Sequence, residues 1–433
     1  MIVELINTGS ELMLGRTLNT HQQWLCRRLA DLGFVVTRQV AIADGAQDIQ
    51  QAVRESLSRA DLILVTGGLG PTSDDVTREL IAELLGKPLH EDPAIVAELK
   101  AFFASRNRPM PARNLVQAQV PEGAIVLPNP NGTAPGLAIK IENGRWRMED
   151  SDAQDSPSSI VNPPSSQWLI MLPGPPRELH PMFRDAVIPL LQRELPPKIF
   201  VCRTIRTAGI GESALAEQIE EPLRPLVVAG LELGYCARPG QVDVRLASRK
   251  PDAEKIVNEA QQIVEGVFAK NIFAHDDEDI EAVIVRELTA RKQTLALAES
   301  CTGGCIAHRI TNVPGASAVL IAGLVTYANE AKIKFVGVRP ETLAAHGAVS
   351  ELVVREMAEG ARRETGADYA IAVTGIAGPS GGSPEKPVGT VFMAVSSVAG
   401  TVAVKQLNRF DRETFKDITS QQALGMLRRV MAE

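Results

Sequence analysis

Short apolar runs that break off at glycine-bearing loops, each followed by a helical stripe, constrain this chain most. Residues 61–66 (DLILVT) stop at Gly67-Gly68-Leu69-Gly70, and residues 2–8 (IVELINT) stop at Gly9-Ser10-Glu11. Leu18, Leu25, Leu29 and Leu32 then mark one helix face, residues 34–43 read as a strand, and Ile49, Val53 and Leu57 mark the next helix. Helices are predicted near 75–86 and 93–105. This β-α-β-α-β-α order predicts an α/β fold, a parallel sheet wrapped by helices, completed by strands near 124–127, 136–142 and 168–172.

The chain has 433 residues, which suggests about three domains. The first is expected over 1–190. Within it, residues 143–167 are rich in Ser, Asp, Pro and Gln and are read as an exposed insertion. Residues 198–273 read as a small α+β module with Arg238-Pro239-Gly240 as a hairpin turn. After the acidic stretch AHDDEDIE comes a third block, 280–433, of alternating helices and apolar strands.

Forty-five basic against fifty-two acidic residues give a formal charge of −7. This argues against a general nucleic-acid or anionic-membrane binder, which needs a basic surface. No apolar run reaches the roughly 18 residues needed to cross a bilayer. The N-terminal residues show no leader pattern, so a cytoplasmic protein is expected. Five scattered cysteines form no C-x-x-C pair, which gives no sign of a zinc knuckle or redox pair.

In the first block, three loops fall at carboxyl ends of predicted strands: Thr8–Glu11, Thr66–Asp75 and Asn131–Gly136. That edge of an open α/β sheet is where ligands bind. Gly67, Gly68 and Gly70 let backbone approach a ligand, and a helix starting near Asp75 would aim N–H groups at a phosphate. Asp74 and Asp75 read either as helix-start caps or, with Glu11, as a seat for a hard divalent cation. Arg177, in PGPPRE, could pair with an anion or simply open a helix.

In the third block, Glu299-Ser300-Cys301-Thr302-Gly303-Gly304 sits at a strand-to-helix junction. Such a turn can expose a nucleophile beside helix N–H groups. Ser300 and Cys301 compete for that role. Candidate bases are His308, His346 and Lys332, the last only if burial or a neighbouring cation depresses its pKa. Tyr327 could relay a proton. A second glycine-rich loop runs from Thr374 to Gly389, and Arg412 stands at a helix start where it could hold a phosphate.

Taken in order, GSELMLGRTLNT, TGGLGPTSDDVTRE, NPNGTAPG, PGPPRE, AESCTGG, GLVTYANEAK, HGAVS, VTGIAGPSGGSPEKPVGT and the FDR segment resemble the competence/damage-inducible CinA family. The resemblance spans essentially the whole chain. It implies an N-terminal molybdopterin-binding-like domain, a KH-type middle domain and a C-terminal α/β amidohydrolase domain. The C-terminal domain is thereby expected to convert nicotinamide mononucleotide to nicotinate mononucleotide and ammonia, with no cofactor. By the same resemblance Ser300 is the nucleophile, Lys332 its base and Tyr327 an assistant. Thr302, Gly303 and Gly304 would line the oxyanion, and Thr374 and Arg412 would contact substrate.

The N-terminal domain is implied to be an ADP-ribose pyrophosphatase using a divalent metal held by Glu11, Asp74 and Asp75. Gly67, Gly68, Gly70, Thr72, Asn131 and Thr133 would then bind its substrate. A homodimer is expected. Two departures stand out: Ser10 replaces the family's usual threonine, and the 143–167 segment is longer than usual. Two other classes of function stay open: a pterin- or nucleotide-binding protein without chemistry, and a nucleic-acid-associated protein acting through the middle module.

Overall fold

A computed structural model describes residues 1–142, 166–195, 199–276 and 278–432. Residues 143–165 of the expected insertion lie outside the described residues, whereas Ser166 and Gln167 already belong to a strand. The chain divides into two compact units, Met1–Phe200 and Val201–Glu433.

The first unit is built on a six-stranded sheet and also holds a short antiparallel pair, Leu89–Glu91 with Gln119–Pro121. In chain order its elements are β1 (Val3–Thr8), α1 (Thr20–Asp31), β2 (Val36–Ile42), α2 (Ala46–Leu57), β3 (Leu62–Thr66), α3 (Thr77–Leu84), α4 (Pro93–Ala104), β4 (Ile125–Leu127), β5 (Gly136–Glu142), β6 (Ser166–Leu172) and α5 (Pro176–Met182). The order across the sheet is β2-β1-β3-β6-β5-β4. The first four strands are parallel, but β5 and β4 run antiparallel to their neighbours. The parallel sheet therefore ends in an antiparallel edge, because NPNGTAPG closes β4 onto β5 as a hairpin, and a short connection can join only antiparallel strands. Period-two alternation fills both faces: Leu62 and Leu64 enter one core, Ile63 and Val65 the other.

The second unit holds two sheets. The first is built by β7 (Val201–Ala208), α6 (Glu212–Ala229), β8 (Leu231–Arg238), β9 (Gln241–Ser248), α7 (Ala253–Phe268) and β10 (Ile272–His275). It is antiparallel, in the order β8-β9-β7-β10. Arg238 pairs with Gln241 across a two-residue turn whose Gly240 takes φ 75°, as the hairpin reading requires. Buried Arg206 ties this sheet to the next block. It donates to Asp243 (3.3 Å) and, across the acidic segment, to Asp279 (2.7 Å) and the Glu278 carbonyl (2.9 Å).

The second sheet follows α8 (Ile280–Arg291). Its elements are β11 (Leu295–Glu299), α9 (Cys305–Thr311), β12 (Leu320–Val325), α10 (Asn329–Val336), α11 (Glu351–Thr365), β13 (Tyr369–Gly375), β14 (Thr390–Ser397), β15 (Gly400–Leu407) and α12 (Arg412–Ala432). The order is β12-β11-β13-β14-β15, with the first three parallel and the last two antiparallel. Leu295 and Leu297 face one core; Ala296 and Ala298 face the other. The alanine side lets α11 come close, and a Cβ on Gly360 would sit 1.6 Å from the Val336 carbonyl oxygen at the end of α10. No helix among the described residues is long and apolar enough to cross a membrane.

Candidate active site

β11 lies between two parallel neighbours, so the loop at its carboxyl end opens at the sheet edge. Ser300 extends the ladder by one bond, its N–H donating to the Val373 carbonyl at 3.1 Å. The chain then turns back through Gly303 (φ 62°) and Gly304 (φ 95°) into α9. Only glycine takes such angles without strain, which is what the paired glycines are for.

Lys332, the fourth residue of α10, is 1% exposed. Its Nζ donates to the carbonyls of Thr326 (2.8 Å) and Tyr327 (3.1 Å) and lies 3.2 Å from Ser300 Oγ. Burial pushes its pKa below the ordinary lysine value, against a smaller opposing pull from Cys301. An amine so placed gives two hydrogens to fixed carbonyls and turns its remaining position to the serine hydroxyl. Cys301 points into the core, and burial pushes its thiol up to about 12. Of the two competing nucleophiles, Ser300 is the one beside a base. His308 and His346 are exposed, and neither hydrogen-bonds Ser300.

The helix-start donors are used differently from the sequence expectation. The buried Glu299 carboxylate accepts from Thr302 Oγ1 (2.7 Å) and from the N–H groups of Gly304 (3.0 Å), Ile306 (3.1 Å) and Ala307 (2.8 Å). Gly303 N–H donates to the Ser300 carbonyl. The Thr302 hydroxyl and the amides of Gly303 and Gly304 therefore hold the turn together rather than face an oxyanion, because a buried carboxylate must be fully hydrogen-bonded. Local sequence does not reveal this role of Glu299. An acidic residue just before a helix start was its only local signal.

Tyr327 reaches the site through its backbone. Its side chain is 58% exposed, and its hydroxyl accepts from Arg412 Nη2 at 2.7 Å. Arg412 Nη1 donates to the Gly378 carbonyl at 2.9 Å, tying the start of α12 to the glycine-rich loop. Thr374, at the end of β13, is buried and donates to the Ala348 carbonyl.

In the first unit, Gly67 (φ 100°) and Gly68 (φ 66°) pack where a Cβ would collide with Thr8 and Thr77. Asp75 accepts from the N–H of Thr72 at 3.0 Å and from its hydroxyl, and lies against Gly70. The Thr72 hydroxyl also holds the exposed Asp74 carboxyl below its usual range. α3 starts at Thr77, two residues later than expected. Glu11 is exposed and folds back over Gly9. Among the described residues no three His, Cys, Asp or Glu side chains converge to hold a metal ion, so Glu11, Asp74 and Asp75 do not form one seat.

The exposed Asn131 receives its loop geometry from Asn129, which also bonds buried Glu178. Arg177 is largely solvent-exposed and lies 3.8 Å from Glu178. A cleft of about 530 Å³ between α4 and residues 128–135 includes Thr133, but none of Gly67, Gly68, Gly70, Thr72, Asp74 or Asp75.

Three family profiles match the chain in series. They are described as "Probable molybdopterin binding domain" over residues 4–193, "Damage-inducible protein CinA KH domain" over 202–274 and "CinA C-terminal domain" over 277–431. A relative from Symbiobacterium thermophilum, named for competence-damage induction, is 43% identical over 100% of this chain and 99% of its own. A CinA-like protein from Akkermansia muciniphila is 45% identical over 98% and 96%. The crystal structure of the competence/damage inducible protein CihA from Agrobacterium tumefaciens is 42% identical, covering 34% of this chain and 91% of that one, with a TM-score of 0.34.

Proposed function

The chain belongs to the CinA family, and on that premise we propose that its C-terminal α/β domain is a serine amidohydrolase acting on nicotinamide mononucleotide. The observation that carries the reading is the 3.2 Å approach of buried Lys332 Nζ to Ser300 Oγ. Ser300 Oγ attacks the carboxamide carbon while Lys332 takes the hydroxyl proton. The tetrahedral intermediate collapses, the C–N bond breaks, and the same proton leaves with ammonia. Water, deprotonated by Lys332, then hydrolyses the nicotinoyl ester, giving nicotinate mononucleotide and restoring Ser300. Arg412, near the mouth of the site, supplies a cation for the substrate phosphate. This chemistry needs no cofactor. The test is ammonia release from nicotinamide mononucleotide by the full chain. A folded chain that releases none ends the proposal.

For the N-terminal domain we propose nucleotide or pterin binding at the edge where the Gly67–Gly70 and Asn129–Gly136 loops stand. ADP-ribose, with a divalent cation, is the proposed substrate at this edge. Among the described residues Glu11, Asp74 and Asp75 do not converge on one metal seat. The competing reading, binding without chemistry, is separated by assaying ADP-ribose turnover across Mg²⁺, Mn²⁺ and Co²⁺. A homodimer in the cytoplasm remains part of the same proposal.

A further inference from the structure

Glu299 precedes the nucleophile and is 1% exposed, yet it touches no cation among its hydrogen-bond partners. Its carboxylate instead closes the turn, reaching over Ser300 and Cys301 to four donors on residues 302–307. Three of these are amides at the start of α9, where the helix favours a negative charge. Its backbone serves a second purpose. The Glu299 carbonyl accepts from Thr326 N–H at 2.8 Å, and the Thr326 carbonyl in turn accepts from Lys332 Nζ. One residue thus fixes the turn that carries Ser300 and adjoins the strand end that cradles the lysine. A glutamine could match this arrangement only in part, because its NH₂ would meet amide N–H groups head-on and leave buried donors unpaired.

We infer that Glu299 is a positioning residue for Ser300: its carboxylate locks the turn from 300 to 307 and so sets the serine hydroxyl at hydrogen-bonding distance from Lys332. The inference rests on the serine–lysine reading of this site.

The experiment compares the full chain with Glu299→Gln and Thr302→Val. It reads kcat and KM for ammonia release from nicotinamide mononucleotide, and the rate at which a fluorophosphonate labels Ser300. Circular dichroism reports folding. Folded Glu299→Gln should keep KM within about twofold, while kcat and labelling both fall roughly ten- to a hundredfold, the scale of a misplaced reacting group. Thr302→Val, which removes only one of the four donors, should move both in the same direction by a smaller factor. It carries the test if Glu299→Gln does not fold.

A folded Glu299→Gln with kcat and labelling within twofold of the parent overturns the inference. So does a Thr302→Val that lowers thermal stability alone. A parent chain that labels at Ser300 but releases no ammonia defeats the substrate assignment, and the labelling ratio still decides Glu299. A parent that neither labels nor turns over defeats both.

Discussion

Lys332 Nζ stands 3.2 Å from Ser300 Oγ with its other bonds ending on the Thr326 and Tyr327 carbonyls. The two side chains act as a unit, so removing either should cost nearly the whole rate. Ser300→Ala should abolish ammonia release. Lys332→Met, which keeps the volume, should lower kcat by about 10²- to 10⁴-fold, the usual worth of a positioned base. Circular dichroism should show both variants folded. A Lys332→Met variant at more than a third of parental kcat would remove lysine from the mechanism.

The same burial fixes the sign of the pH dependence. Lys332 works as a neutral amine, so kcat/KM should rise with pH through its depressed pKa, below the ordinary lysine value of 10.5. For stability, between that folded pKa and 10.5 the unfolded chain holds a proton that the folded chain lacks. Stability therefore climbs with pH across that window. Below it, the folded state carries the full penalty of a buried ammonium. Lys332→Met should accordingly gain stability over the parent at neutral pH, with the gap closing above pH 10.5. Urea midpoints at several pH values read this, and a gap that widens with pH would contradict the assignment.

Arg412 joins Tyr327 Oη and the Gly378 carbonyl, so it organises the mouth of the site rather than the proton path. Tyr327→Phe keeps the backbone carbonyl that holds Lys332. It should raise KM a few-fold and leave kcat within about threefold, since a hydrogen bond in so exposed a position contributes only about 1 kcal/mol net. Arg412→Lys loses the fork that spans both partners and should raise KM further. A collapse of kcat in Tyr327→Phe would restore the phenol as a proton relay.

Stability and activity meet at Gly360. A methyl there would press into the Val336 carbonyl oxygen, four residues beyond Lys332 on the same helix. Gly360→Ala should destabilise the second unit by about 1–3 kcal/mol through overpacking. It should also lower kcat without touching substrate, by displacing α10. Thermal unfolding and steady-state kinetics on the same sample check both halves. An unchanged midpoint would mean that α10 and α11 separate freely.

The strands and their glycine loops were legible because alternation and left-handed turns are local properties. Leu62–Val65 and Leu295–Ala298 send successive side chains to opposite cores. The direction of β5 is not legible locally, because it depends on the strand's partner, not on its own residues. Local sequence could not choose a base for Ser300. His308 and His346 are exposed, whereas Lys332 is buried because α10 packs on α11 and turns its Nζ onto the Thr326 and Tyr327 carbonyls. The role of Glu299 is not legible locally, since a carboxylate at a helix start usually serves only the helix. The carboxylates at 11, 74 and 75 lie near one sheet edge, but the chain turns each toward its own loop.

Near α5 a histidine pair gives the first unit an acid-sensitive point. His180 stacks on Trp24 with centroids 3.9 Å apart, and His21 meets His180 edge-on at 6.2 Å. His21 Nδ1 and His180 Nε2 are buried without hydrogen-bond partners. Burial holds both rings below the usual histidine pKa, outweighing a Gly174 backbone bond at His21. At His180 the His21 and Arg28 charges add to the effect. As pH falls below 6.5, the unfolded chain takes up protons that the folded unit resists, so stability drops through that range and levels off below the folded values. All three tryptophans (24, 146 and 168) precede residue 200, so intrinsic fluorescence reports this unit. The urea midpoint followed by tryptophan emission should fall between pH 7.5 and 5. His180→Phe preserves the stack and removes one protonation, so it should flatten the dependence. An equally steep fall in His180→Phe would place the acid sensitivity elsewhere in the unit.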